Sequence, residues 1–170
     1  MEFKLHKREP RGTRTEATQI REAYMGMLKL DGVTHWSIPV NNLEESEKFY
    51  GEVLGLESKG RLGNSNMSCF TVGGHSILLC RRNEPVVRTP EQDNRLHHAF
   101  DVSPQTFEQG CKLFHKIGVK IAQPIVYREK GFFTGRELYF LDPSGNMLEL
   151  RDANWKPGLP TPTYEEIVRS

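Results

Sequence analysis

Apolar and polar positions in this chain alternate with a period of two in some stretches and with a helical period in others. Residues 32–40, GVTHWSIPV, alternate: Val33, His35, Ser37 and Pro39 fall on one face, and Thr34, Trp36, Ile38 and Val40 on the other. Residues 43–54 switch to helical spacing, with Leu43, Phe49, Tyr50, Val53 and Leu54 as the apolar set. Asn41-Asn42 precedes them as an N-cap and Gly55 follows as a stop. Three short strands are predicted next, over residues 56–61, 67–72 and 75–81. A turn at residues 63–66 joins the first pair, and the two-residue turn Gly73-Gly74 joins the second. The module is β-α-β-β-β.

A polar stretch with Pro85 and Pro90, residues 82–95, reads as a linker, and then the pattern restarts. Residues 96–102 predict a strand and Ser103-Pro104 a helix start. Residues 107–117 predict a helix with Phe107, Cys111, Phe114 and Ile117 inward, closed by Gly118. A strand over 119–122 and a long loop over 123–134 lead to a closing hairpin, 138–141 and 147–150. Its turn, Asp142-Pro143-Ser144-Gly145-Asn146, is made of residues that bend the backbone or bond to it. The recurrence is an internal repeat. His35 and His97 stand 62 residues apart, each opening a strand that leads into a helix, and Gly55 and Gly118 stand 63 apart. Two four-stranded modules placed side by side predict an α+β domain built on a concave, incompletely closed mixed sheet. Module 1 covers about 28–82 and module 2 about 95–152. An N-terminal arm (1–27, with a short helix over 17–27) and a C-terminal tail (153–170, with a short helix near 164–168) flank it.

One residue does not suit a purely structural hairpin. Glu149 interrupts the apolar run Met147–Leu150, where a carboxylate must face solvent, pair with a cation or bind a metal. Aligning Gly74 with Gly145 sets Leu78 opposite Glu149 in the repeat. His35 and His97 open the first strand of each module, and with Glu149 they form a two-imidazole, one-carboxylate set. Such a set holds a divalent first-row ion and leaves coordination positions open. His98 competes with His97, but adjacent strand residues face opposite ways, and the repeat pairs Trp36 with His98. His75 and His115 read as surface residues.

Composition narrows the classes. The chain has 170 residues, 23 Lys and Arg against 22 Asp and Glu, and a net charge of +1, which gives no field favouring nucleic acid or an anionic membrane. No apolar run reaches the roughly 18 residues of a membrane span. Three cysteines without CxxC spacing predict neither a disulfide framework nor a cysteine-rich zinc site, and the cytoplasm is the expected compartment.

The stretches GVTHWSIPVNNLEESEKFYGEVLGLE, LHHAFDV and LYFLDPSGNMLEL resemble the vicinal oxygen chelate superfamily, which includes glyoxalase I, extradiol dioxygenases, fosfomycin-resistance thiol transferases and bleomycin-binding proteins. The resemblance covers about residues 28–152. It implies paired βαβββ modules and a metal on His35, His97 and Glu149, with Fe(II) favoured and Mn, Zn or Ni as alternatives. It also implies a small substrate chelated through adjacent oxygens, and dioxygenase-like chemistry as the first reading. A glyoxalase-like lyase or thiol transferase, or a non-catalytic binding protein, is the alternative. Tyr139, ten residues before Glu149, and Ser37, two after His35, are the catalytic candidates. The sequence departs from the family at two places: Leu78 stands where glyoxalase I has a second glutamate, and residues 130–132 lack the histidine of the extradiol signature. Small members form homodimers with exchanged modules, which implies His35 from one chain and His97 and Glu149 from the other. Asp101 and Arg151 can supply an acid, base or anion anchor or form an ion pair with each other, and Arg128, Lys130 and Arg136 beside the long loop can hold an anionic substrate or stay solvated.

Overall fold

The structure is a computed structural model, described for residues 33–63, 65–85 and 96–170. The expected arm and its helix over 17–27, and most of the linker, lie outside the described residues. The compact unit Thr34–Ser170 contains β1 (His35–Val40), α1 (Leu43–Lys48) continued by a π-helical turn (Phe49–Val53), β2 (Glu57–Arg61), β3 (Met67–Val72) and β4 (His75–Arg81). After the linker come β5 (His98–Asp101), α2 (Pro104–Ile117), β6 (Ile121–Arg128), β7 (Gly135–Leu141), β8 (Met147–Asp152) and α3 (Tyr164–Arg169).

The described strands form two four-stranded sheets with matching orders, β1-β4-β3-β2 and β5-β8-β7-β6. In each, the first strand runs parallel to the fourth and the other pairs are antiparallel. The architecture is α+β with paired βαβββ modules, as the repeat predicts. The strands of the two modules are not hydrogen-bonded into one continuous sheet. Their common ground is a core of Ile38, Val40, Tyr50, Phe70 and Leu79 from module 1 with Phe107, Phe114, Leu138, Phe140 and Leu148 from module 2.

Local chemistry explains the element ends. Asn42 Oδ1 accepts from the Glu45 amide at 3.2 Å and opens α1. Ser103 does the same for Thr106 at the head of α2, Pro104 takes the first turn, and Gly118 closes the helix at φ +74°. Gly73 and Gly74 both have positive φ, as a two-residue hairpin turn between right-twisted strands requires.

The hairpin turn of module 2 carries more of the architecture than a turn needs to. Asp142 Oδ1 accepts the amides of Ser144 (2.9 Å) and Asn146 (2.8 Å), which shapes the turn from within. Its other oxygen accepts the Tyr50 hydroxyl at 3.0 Å. Asn146 Nδ2 donates to the Pro39 carbonyl at 3.0 Å, and the Asn41 amide donates to Ser144 Oγ at 2.9 Å. The hairpin that bears Glu149 is thereby tied to the end of β1 and to the helix of module 1.

The structure corrects the expected loop over residues 123–134. Strand β6 runs through Arg128, so only residues 129–134 connect it to β7. Pro124 and Gln123 break the apolar pattern, but β6 is an edge strand, and Pro124 falls where its pairing with β7 shifts register. An edge strand tolerates proline there because no neighbour needs the missing N–H. The segment after β8 packs on module 2. Trp155 is buried, with its ring 5.0 Å from Tyr127 and its indole N–H donating to the Pro160 carbonyl. Thr163 and Glu166 form a capping box on α3, which buries Ile167. No helix among the described residues is long and apolar enough to cross a membrane.

Candidate metal centre

The pleat decides which residues share a face. In β8, Leu148 and Leu150 point into the core, so Glu149 points to the opposite face. In β1, Ile38 and Val40 are in the core and His35 and Ser37 are exposed. Register aligns the two modules residue by residue. Leu78 lies opposite Ser37 on β1 and Cys69 on β3, while Glu149 lies opposite Ala99 on β5 and Tyr139 on β7. Leu78 and Glu149 therefore occupy the same slot, as the glycine alignment of the repeat requires, and the acid exists only in module 2.

The Glu149 face of module 2 is polar and largely shielded from water. His97 Nε2 lies 3.0 Å from Glu149 Oε2, with the carboxylate 4% exposed. The Tyr139 ring meets the His97 ring edge-on at 5.3 Å between centroids. The Tyr139 hydroxyl donates to Glu137 Oε2 at 3.0 Å, and Arg128 grips that carboxylate with Nε at 2.8 Å and Nη2 at 2.9 Å. One rung further along β8, Arg151 donates to Asp101 at 2.8 Å and to the Thr134 carbonyl at 2.8 Å, under the Phe133 ring.

Burial and like charge set the protonation tendencies here. The Glu149 carboxyl is pushed above the usual carboxylate range by burial first and by the Glu137 charge second; His97, Tyr139 and Arg151 pull the other way. Burial, with the charges of Glu149 and Glu137 behind it, raises the Tyr139 phenol, so it stays protonated at neutral pH. Arg128 answers the charge of Glu137, and Glu149, buried beside His97, is the carboxylate that gains from an added cation.

His97 and Glu149 fit a shared ion. Donor atoms each about 2.1 Å from one metal and at right angles lie about 3 Å apart, the separation found between Nε2 and Oε2. His35 is not with them. It sits exposed at the start of β1, its Nδ1 3.0 Å from Thr34 Oγ1, on a sheet face turned away from the chain's own core. Among the described residues no three His, Cys, Asp or Glu side chains converge on one point. Ser37, two residues on along β1, shares the exposed face of His35.

Against this geometry, the Glyoxalase/Bleomycin resistance protein/Dioxygenase superfamily matches residues 32–150. The chain belongs to that superfamily. A glutathione transferase FosA from Serratia marcescens is 28% identical over 121 residues, 71% of this chain and 80% of the relative. Two solved structures share the superfamily fold. An integron cassette protein from the Halifax Harbour sewage metagenome has a TM-score of 0.57 at 25% identity, over 72% of this chain and 99% of its own. A variant of the fosfomycin resistance protein FosX from Listeria monocytogenes, complexed with Mn(II) and 1S,2S-dihydroxypropylphosphonic acid, has a TM-score of 0.58 at 19% identity, over 73% and 93%.

Within this superfamily frame, three charged residues of the expected set take structural parts. Arg136 is 5% exposed and bound to Asp152, Glu108 and the Pro104 carbonyl. Asp101 and Arg151 form the anticipated ion pair. Glu137 is a site-facing residue that sequence reading missed, and it is the partner of Arg128, which that reading named only as a loop charge. The signal was present: Glu137 is two residues before Tyr139 and so shares its face once β7 is extended back to Gly135.

Proposed function

We propose that this chain is a divalent-metal enzyme whose ion is held by His97 and Glu149 of one copy and His35 of a second, paired copy. The observation that carries the reading is the 3.0 Å approach of His97 Nε2 to Glu149 Oε2 on a buried polar face, with His35 exposed on the equivalent face of the other module. Alternation turns both ligand faces away from the chain's own core, so a homodimer with exchanged partners brings the three together. The substrate is a small molecule that chelates through adjacent oxygens. The reaction is transfer of a nucleophile, a thiol in the first instance, to that substrate.

Similarity to a glutathione transferase FosA supports transfer over ring cleavage, as does the lack of a histidine in residues 130–132. The Mn(II) of the FosX complex supports a hard divalent ion in place of the Fe(II) first favoured. A bound ion would polarise substrate oxygens and stabilise the negative charge that develops on them. The chain's own residues do the rest. Glu149 and His97 orient the donor set, the apolar strands beneath them exclude water, and Tyr139 contacts the bound substrate beside Glu149. Ser37 enters from the second copy, two residues beyond His35.

The test is metal binding followed by turnover. Chelator-stripped protein is titrated anaerobically with Mn(II), Zn(II) and Fe(II), and thiol consumption is then measured with small epoxide and α-hydroxycarbonyl substrates. The expected result is one ion per chain, lost at least 100-fold in affinity in E149Q and H97A with unchanged circular dichroism. Oxygen uptake on catechols with Fe(II), without thiol consumption, would return the dioxygenase reading. No bound ion in any form would remove the enzyme reading.

A further inference from the structure

The first strand of module 2 leaves room beside Glu149. Alternation puts His97, Ala99 and Asp101 on the ligand face, and Ala99 is the register partner of Glu149. Ala99 is exposed and brings only a methyl group. An open strip therefore runs over Ala99 from the His97–Glu149 pair toward the next rung, Asp101 and Arg151, about 7 Å along the strands.

The far end of that strip is aromatic. Arg151 donates through Nη1 to Asp101 and through Nη2 to the Thr134 carbonyl, both at 2.8 Å, and its Nε is buried. Its guanidinium carbon lies 5.6 Å from the centre of the Phe133 ring, within reach of a cation–π contact. Asp101 answers the charge of Arg151, and Arg128 answers that of Glu137 on the same rung. The rung thus offers a bound molecule paired charges and one ring. That ring is held from one side and 67% exposed, so it is apolar surface that gains by being covered.

We propose that Phe133 is a specificity-determining wall of the metal site, and that the substrate carries an aryl group directly on its chelating unit. Arg151 is the positioning residue, because it holds both the Thr134 carbonyl and the Phe133 ring. An aryl group on a unit chelated at His97 and Glu149 crosses Ala99 and meets Phe133 in a ring-to-ring contact that a methyl group is too short to make. A charged substituent finds its counter-charges already taken. The proposal rests on the metal-site reading above.

Two hydroxamates make the probe. Acetohydroxamate and benzohydroxamate chelate through the same two oxygens and differ by methyl against phenyl. Calorimetric titration of the Mn(II)-loaded full chain gives their affinity ratio, and F133A supplies the baseline for intrinsic chelation and for the phenyl group's own desolvation. The expected preference for the phenyl ligand is about 10-fold greater in wild type than in F133A, the worth of one aromatic contact with the area it covers. In R151M the loop loses its anchor, and the preference moves toward the F133A value. A purely structural Arg151 would weaken both ligands alike and leave the ratio unmoved. F133A, altered at an exposed side chain, decides the matter if R151M fails to fold.

Equal ratios in wild type and F133A would overturn the proposal. Dissociation of the paired chains in F133A, measured by sedimentation velocity, would overturn it too by assigning Phe133 to a contact between copies. Mn(II) binding without binding of either hydroxamate would also overturn it, while leaving the metal site standing. Failure to bind Mn(II) would remove the site reading and the proposal with it.

Discussion

Replacing Arg136 by methionine tests how the hairpin that carries Glu149 is held. Arg136 Nε donates to Asp152 Oδ2 at 2.9 Å, Nη1 and Nη2 reach Glu108 Oε1 at 3.2 Å, and Nη2 donates to the Pro104 carbonyl at 3.0 Å. The guanidinium also sits 4.5 Å from the centre of the Phe107 ring. It therefore joins the outer ends of β7 and β8 to the first turn of α2. Methionine keeps most of the packing volume and removes the charge. Asp152, 1% exposed, then loses the one cation paired with it among the described residues, and stranding one member of a buried pair costs about 3–5 kcal/mol. Asn154 still donates its amide (2.9 Å) and Nδ2 (3.2 Å) to Asp152, which sets the loss near the lower end, about 3 kcal/mol. The half-exposed Glu108 adds at most about 1 kcal/mol. Urea unfolding followed by far-UV circular dichroism measures this, with melting expected about 10 °C lower. Adding D152N to R136M should recover at least about 1 kcal/mol by removing the stranded charge. A loss under about 1 kcal/mol at unchanged denaturant slope, or no recovery in the double variant, would refute the keystone role.

Other outcomes follow from single positions. A Cβ on Gly135 would lie 2.4 Å from the Asp152 carbonyl oxygen at φ +146°, so G135A should cost about 2–4 kcal/mol. On Gly110 it would meet only the end of the Leu150 side chain, at 2.8 Å, so G110A should cost about 1 kcal/mol; the reverse order in urea unfolding would contradict the packing. Burial pushes the Cys111 thiol up to about 12 from 9.0. Below pH 9 the thiol is neutral in both states and contributes nothing. Above it the unfolded chain ionises first, so stability should fall by up to about 1.4 kcal/mol per pH unit toward 12. A C111A variant with the same slope as wild type between pH 9 and 10.5 would refute this assignment.

Much of the fold was legible because the repeat shows itself in spacing. Two histidines, two helix-ending glycines and two glycine-bearing turns set the modules in register, and the strand pairing places Leu78 and Glu149 in one slot as that spacing requires. The turn chemistry of residues 142–146 was also legible, since Asp142 and Asn146 act on their own backbone. Its second task, binding Tyr50 and Pro39 from module 1, was not, because long-range partners leave no local pattern. Glu137 and Arg136 were hidden for a related reason. They are buried charges whose partners come from β6, β8 and α2, so in sequence they look like solvated loop residues. The separation of His35 from His97 and Glu149 was implied by the family resemblance and not by the pattern of the chain. A repeat says which residues are equivalent and is silent on which copy of a module faces which.

The central claim is that one metal site is built from two chains, and mixing two inactive variants tests it most directly. H35A and E149Q chains are each stripped of metal, mixed at equal concentration under exchange conditions and titrated with Mn(II). In a mixed pair, His35 of the E149Q chain meets His97 and Glu149 of the H35A chain, which restores one complete site and leaves the other doubly defective. No tight site is expected in either variant alone, and one site per mixed pair is expected after mixing. Tight binding by H35A on its own, or a mixture that binds no more than its parts, would contradict it.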